Sequence, residues 1–162
     1  AFAMKPKSTL ELNRYLPALI NFFSNKMSNA SSQLYAHLFN MGATDWRVIS
    51  LLAVESNIPA SRICQVIGLD KSAVSRSLSK LNRDGFIEIE VDKKDTRARK
   101  NALTEAGIRL HDEMYIVALE REQEILNVLS VEDQEHLIRI MNALNTEITD
   151  INDFFTEKYI TK

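Results

Sequence analysis

The chain has 162 residues, 45% of them hydrophobic and 26% charged, which suits one domain with a sizeable core. Its single cysteine excludes an internal disulfide, and no apolar run approaches the ~20 residues of a membrane span; with no signal peptide evident, the expected location is the cytoplasm. The net charge of −2 conceals an asymmetry: Glu55 to Thr104 holds 10 Lys/Arg and 7 Asp/Glu, giving +3, while the remainder holds 10 and 15, giving −5.

In chain order, Ser8 to Phe39 places Leu12, Leu16, Ile20, Phe23, Met27, Ala30, Leu34 and Leu38 three or four apart. The spacing predicts one long amphipathic helix, irregular near Pro17, where an interior N–H donor is missing. Asn40 to Ala43 ends it, and Thr44 is expected to cap a helix carrying Trp46, Ile49 and Leu52.

The stretch from Ile58 to Thr104 organises the rest. Pro59 suits a helix start and Gly68 the left-handed residue after a helix end, so Ala60 to Ile67 reads as a short helix. After the Gly68-Leu69 turn, Asp70 caps a second helix whose Val74, Leu78 and Leu81 face inward. Its other face carries Lys71, Ser72, Ser75, Arg76, Ser79, Lys80 and Arg83. Short hydroxyls let a helix approach a surface closely, and the long cations beside them reach phosphates or guanine edges.

Gly85 stops that helix, and Ile87, Ile89 and Val91 alternate with glutamates as in a half-buried strand. The charged run Asp92 to Lys100 cannot bury itself and is expected to form the exposed tip of a hairpin returning through Asn101 to Leu103. A helix-turn-helix followed by a basic-tipped hairpin is a winged helix, with one element for the major groove and one for the adjacent minor groove. Lys94, Arg97 and Arg99 supply the tip's cations, with Arg97 aimed at a narrow minor groove and Asp95 placed to brace Arg97 or Arg99 by an ion pair.

Thr104 caps a helix from Glu105 to about Val128, and Ser130 to Asp133 is close to a capping box for the last one. In that last helix Leu137, Met141, Leu144, Ile148, Ile151 and Phe155 alternate by four and three, a heptad stripe that wants a partner helix. The expected architecture is mainly α with a small β-hairpin wing: a winged helix-turn-helix over residues 41–104, flanked by helical dimerisation regions at 1–40 and 105–162.

The segment GLDKSAVSRSLSKLNRDGFIE, with the wing followed by ALTEAG, resembles the MarR family of bacterial transcription regulators. The family's wings typically read Asp-x-Arg-Asp-x-Arg; here Asp92, Lys94, Asp95 and Arg97 stand in those places, and Lys94 keeps the charge but loses the bidentate fork. The resemblance implies a homodimer on double-stranded DNA with a pseudo-palindromic operator, Arg76 reading base edges, Ser72, Ser75 and Ser79 on phosphates or bases, and Lys80 on a phosphate. It further implies a repressor released by a small aromatic acid or phenol bound between the dimerisation region and the winged helix. Arg14 could pair with a carboxylate there, Tyr35, Trp46, Met114 and Tyr115 could form the walls, and His37 could meet a phenol hydroxyl. The competing reading of those residues is a solvated Arg14 beside ordinary core.

Some relatives in this family sense peroxide through a cysteine near the start of the first helix; Cys64 lies elsewhere and reads as a small core residue. His37, His111 and His136 are scattered without metal-ligand spacing, and no catalytic motif occurs, so neither a cofactor nor an enzyme is expected. The alternative function is a protein-interaction module that uses the winged helix and terminal helices without DNA.

Overall fold

The first helix begins where proline permits it. The computed structural model describes residues 3–95 and 97–161, and in it α1 runs from Leu16 to Phe39, with Tyr15 as its N-cap and Pro17 in its first turn. The expected start at Ser8 is therefore corrected. Proline's missing N–H costs nothing in the first turn, where no intrahelical acceptor exists, and would break an interior bond anywhere later. Leu12 leaves the stripe and lies exposed in the segment before α1. Asn40 closes α1 in the left-handed conformation.

The remaining elements follow as α2 (Ala43–Val54), α3 (Ala60–Ile67), α4 (Lys71–Arg83), β1 (Ile87–Val91), β2 (Arg99–Leu103), α5 (Glu105–Leu126) and α6 (Val131–Tyr159). The architecture is mainly helical with a two-stranded antiparallel hairpin, as the sequence leads one to expect. The caps are mostly those read from the sequence. Asp70 accepts from Ala73 N–H at 2.7 Å, Gly68 sits at φ 76°, and Thr104 Oγ1 accepts from Gly107 N–H at 3.1 Å. Ser130 accepts from Asp133 N–H at 3.1 Å, one half of a capping box.

Thr44 is not the cap of α2. Gly42 holds that position, and its N–H donates to the Asp45 carboxylate at 2.8 Å. Glycine offers no side chain to return the bond, so only the reciprocal half of a capping box exists here.

The chain divides into two compact units, Ala1–Tyr115 and Ile116–Lys162. The core of the first is built from Val48, Ile49 and Leu52 of α2, Ile63 of α3, Val74, Leu78 and Leu81 of α4, Ile87 of β1 and Met114 of α5. A third extended segment supports the hairpin: Ile58 and Asn101 exchange backbone hydrogen bonds at 2.9 and 3.3 Å, and the Asn101 amide also donates to Ile58 O. This contact ties the entrance of α3 to the base of the wing. Val91, expected inward, is exposed, because the hairpin runs beyond the core it packs on.

Gly107 is required by contact. A Cβ there would fall 1.9 Å from Phe86 O, so the backbone carbonyl after α4 would have to move. Gly107→Ala is expected to cost about 3 kcal/mol through overpacking, read as a lower urea midpoint with an unchanged m-value.

Arg62 of α3 grips Glu55 at the end of α2 with both arms, Nε to Oε2 at 2.9 Å and Nη2 to Oε1 at 2.8 Å, and also reaches Gln65. Hydrogen bonding from Arg62 holds the Glu55 carboxyl below the ordinary glutamate range, against a smaller opposing effect of desolvation. A carboxyl lowered on folding stabilises the fold above its unfolded pKa, and that contribution is lost as pH falls through the folded value. Glu55→Gln should therefore lower the urea midpoint at pH 7, and the difference from wild type should shrink as pH falls through and below about 4.

Candidate nucleic-acid interface

On α4 the residues split by side. Val74, Leu78 and Leu81 are buried, while Lys71, Ser72, Ser75, Arg76 and Ser79 are exposed. Ser72, Ser75, Arg76 and Ser79 recur at i, i+3, i+4 and i+7, so they form one continuous ridge. It presents three hydroxyls and one guanidinium, with Lys71 at the helix's first position.

The wing carries the second set. Lys94 and Arg97 lie exposed in the loop between the strands; Arg99 and Lys100 belong to β2, where they pair with Val91 and Glu90. The expected tip is accordingly shorter, with Arg99 at the root of the wing. Thr96, within that tip, and Ala1, Phe2 and Lys162, within the expected terminal regions, lie outside the described residues.

Two aspartates shape the loop. Asp92 Oδ1 accepts from Lys94 N–H at 2.8 Å, and Asp95 Oδ1 accepts from Arg97 N–H at 3.0 Å. Asp95 thus supports Arg97 through the backbone rather than by the expected ion pair. Carboxylate-to-backbone turns of this kind fix the loop's backbone.

Lys80 differs from its neighbours. Its ammonium donates to Asn40 O at 2.7 Å and lies 3.5 Å from Asp45 Oδ2 and 3.8 Å from Asp84 Oδ2, with the side chain 28% exposed. Its ammonium is thus engaged by the end of α1 and the start of α2.

The residues expected around a ligand divide as well. Within the first unit, Trp46 stacks on His111 at 5.6 Å between ring centroids, His111 stacks on Tyr115 at 5.7 Å, and Tyr35 meets Trp46 edge-on at 6.3 Å. His111, absent from the expected set, is the middle of this run, and its Nδ1 lies 3.0 Å from Asp112 Oδ1. Its spacing of four from Tyr115 on α5 was the available signal. His111 also borders an open cleft of about 380 Å³ lined by Leu52, Ala53, Ser56, Leu103, Ile108 and Asp112. Met114 is fully buried core, and His37 is exposed near the end of α1. Arg14 precedes α1, 79% exposed and 3.9 Å from Glu11.

Among the described residues no group of His, Cys, Asp and Glu converges as metal ligands, and no helix is long and apolar enough to cross a membrane. Cys64 is half-buried.

A ridge of hydroxyls and cation on the second helix of a helix-turn-helix, beside a cationic hairpin, defines a winged helix of the DNA-binding kind. Residues 39–98 match the MarR family. A MarR/EmrR family transcriptional regulator from Acinetobacter sp. ADP1 is 32% identical, matching 87% of this chain and 99% of its own with a TM-score of 0.80. The PcaV transcriptional regulator from Streptomyces coelicolor, solved in complex with its natural ligand, shares the fold at 19% identity, over 85% of this chain and 96% of its own, with a TM-score of 0.71. Wild-type MarR from E. coli in its apo form does so at 19% identity, over 85% and 98%, with a TM-score of 0.64. The chain belongs to the MarR family. It is a DNA-binding transcription regulator and not an enzyme.

Proposed function

We propose that the chain acts as a homodimeric repressor that holds a pseudo-palindromic operator and is released from it by a small aromatic acid or phenol. The observation that carries the dimer is α6: none of its 29 residues is buried, although Leu137, Met141, Ile148, Ile151 and Phe155 present a continuous apolar stripe. A helix draws most of its stability from burying such a face, and this one has not done so within one chain. Residues 1–40 and 105–162 form the dimerisation region in this reading, and the exposed Leu16, Leu19, Phe22 and Phe23 of α1 add to it.

Two copies of α4 then enter successive major grooves about one helical turn apart. Lys71, Ser72, Ser75, Arg76 and Ser79 meet the duplex from α4, and Lys94, Arg97 and Arg99 from the wing. The aromatic run through Tyr35, Trp46, His111 and Tyr115, and the cleft beside His111, favour a flat ligand. Release follows if the ligand binds more tightly to a spacing of the two α4 helices that no longer fits the grooves.

The test is a mobility shift on duplexes selected from a random pool, repeated across salt concentrations and then with benzoate or cinnamate added. Steep salt dependence and a palindromic selected sequence are expected. Binding that ignores salt would overturn the operator reading, and operator occupancy unmoved by any aromatic acid or phenol would overturn the effector. Calorimetry of wild type and Arg14→Ala with benzoate decides Arg14: equal affinity removes it from the site.

A further inference from the structure

The ridge that faces DNA lies on a helix whose roll about its own axis is not fixed by its apolar contacts alone. Val74, Leu78 and Leu81 are buried, and apolar burial by itself is non-directional. On the flank between them and the ridge stand Ser77 and Lys80, and both are tied across to Asp45 at the start of α2. Ser77 Oγ donates to Asp45 Oδ1 at 2.6 Å, and Lys80 Nζ lies 3.5 Å from Oδ2. Asp45 itself is held by Gly42 N–H at 2.8 Å on Oδ2 and is 7% exposed. Lys80 extends the connection to Asn40 O, the residue that closes α1.

We infer that Asp45, Ser77 and Lys80 are positioning residues for DNA recognition, setting the roll of α4 so that the Arg76 guanidinium reaches a base edge. Arg76 is Lys80's neighbour one turn earlier, and with Thr44, Ala73, Asp45, Ser77 and Lys80 it lines an open cleft of about 220 Å³. That cleft gives α4 room to turn once the flank is released. A roll of about 15° would carry a group ~6 Å from the helix axis by roughly 1.5 Å. Hydrogen bonds to a base weaken steeply over such a displacement, whereas phosphate attraction falls off slowly. Loss of the anchor should therefore remove sequence discrimination and leave general DNA affinity in place.

The proposal rests on the DNA-binding role of the family and on the reading of Arg76 as a base-edge contact, which Arg76→Ala tests separately, and on neither the dimer nor the ligand. The variants are Lys80→Met, which keeps the stem and loses the ammonium, and Ser77→Ala, read well below their melting temperatures. Each is titrated against a duplex selected by the wild-type protein and a scrambled duplex of the same length, over a range of salt. We expect the ratio of selected to scrambled affinity to fall about tenfold or more in both. The scrambled affinity and the salt slope should stay as in wild type, and the double variant should lose little beyond either single change. A Lys80→Met salt slope reduced by about one, with the affinity ratio preserved, would make Lys80 a phosphate contact and overturn the inference. Folded variants with an unaltered ratio and slope would overturn it too, leaving the anchor a mere stability element.

Discussion

Arg76→Ala is expected to lose about 1–3 kcal/mol of affinity for the selected duplex and to relax preference at one position in each half-site. Arg76 is the long cation set among Ser72, Ser75 and Ser79 on the ridge, and those hydroxyls are short enough to let the helix backbone come close to the base edges. A guanidinium in that setting can donate two parallel hydrogen bonds to guanine O6 and N7, which lysine cannot reproduce. Arg76→Lys should consequently keep the scrambled-duplex affinity yet lose most of the discrimination. Arg97→Ala in the wing should behave differently. As a contact with minor-groove potential or phosphate it should weaken selected and scrambled duplexes alike and reduce the salt slope. Equal affinity of wild type and Arg76→Ala for the selected duplex would remove Arg76 from base readout.

The parts of this interface that were legible in the sequence are those whose causes are local. Asp70 before α4, Gly68 after α3 and the spacing of Val74, Leu78 and Leu81 each fix the chain within one or two turns, so the ridge could be read directly. Pro17 was legible as well, but it marks the start of α1 rather than an irregularity inside it; the apolar spacing continues through Leu12 and hides the boundary. What could not be read are partners distant in sequence. Asn101 joins Ile58 across 43 positions, and Ser77 joins Asp45 across 32. Lys80 shows the consequence: by local pattern it is one more cation on the polar face of α4, and the carboxylate and carbonyl that engage its ammonium come from other elements. His111 entered the aromatic run for a similar reason, since its neighbour Trp46 comes from α2.

Ile148→Asp in α6 is expected to abolish dimerisation at micromolar concentration and to weaken binding to the selected duplex by roughly 10²–10⁴-fold. In a single chain Ile148 is exposed, so an aspartate there would cost no more than a few tenths to about 0.7 kcal/mol in helix propensity. In a symmetric dimer the same change places two carboxylates in an apolar seam, each with a desolvation penalty of several kcal/mol. The magnitude therefore separates a lone helix from a paired one. Thr146→Asp supplies the control: on the opposite side of α6, where Thr146 bonds only to its own helix at Asn142 O, it should leave the association state unchanged. Each Ile148→Asp monomer retains its α4 ridge and wing, so affinity for a scrambled duplex at low salt should fall far less than affinity for the selected one. The loss comes from giving up the second half-site as an intramolecular event rather than from damage to either contact surface. Sedimentation of the two variants beside wild type decides the matter, and an Ile148→Asp protein that sediments as a dimer would show that this stripe is not the seam.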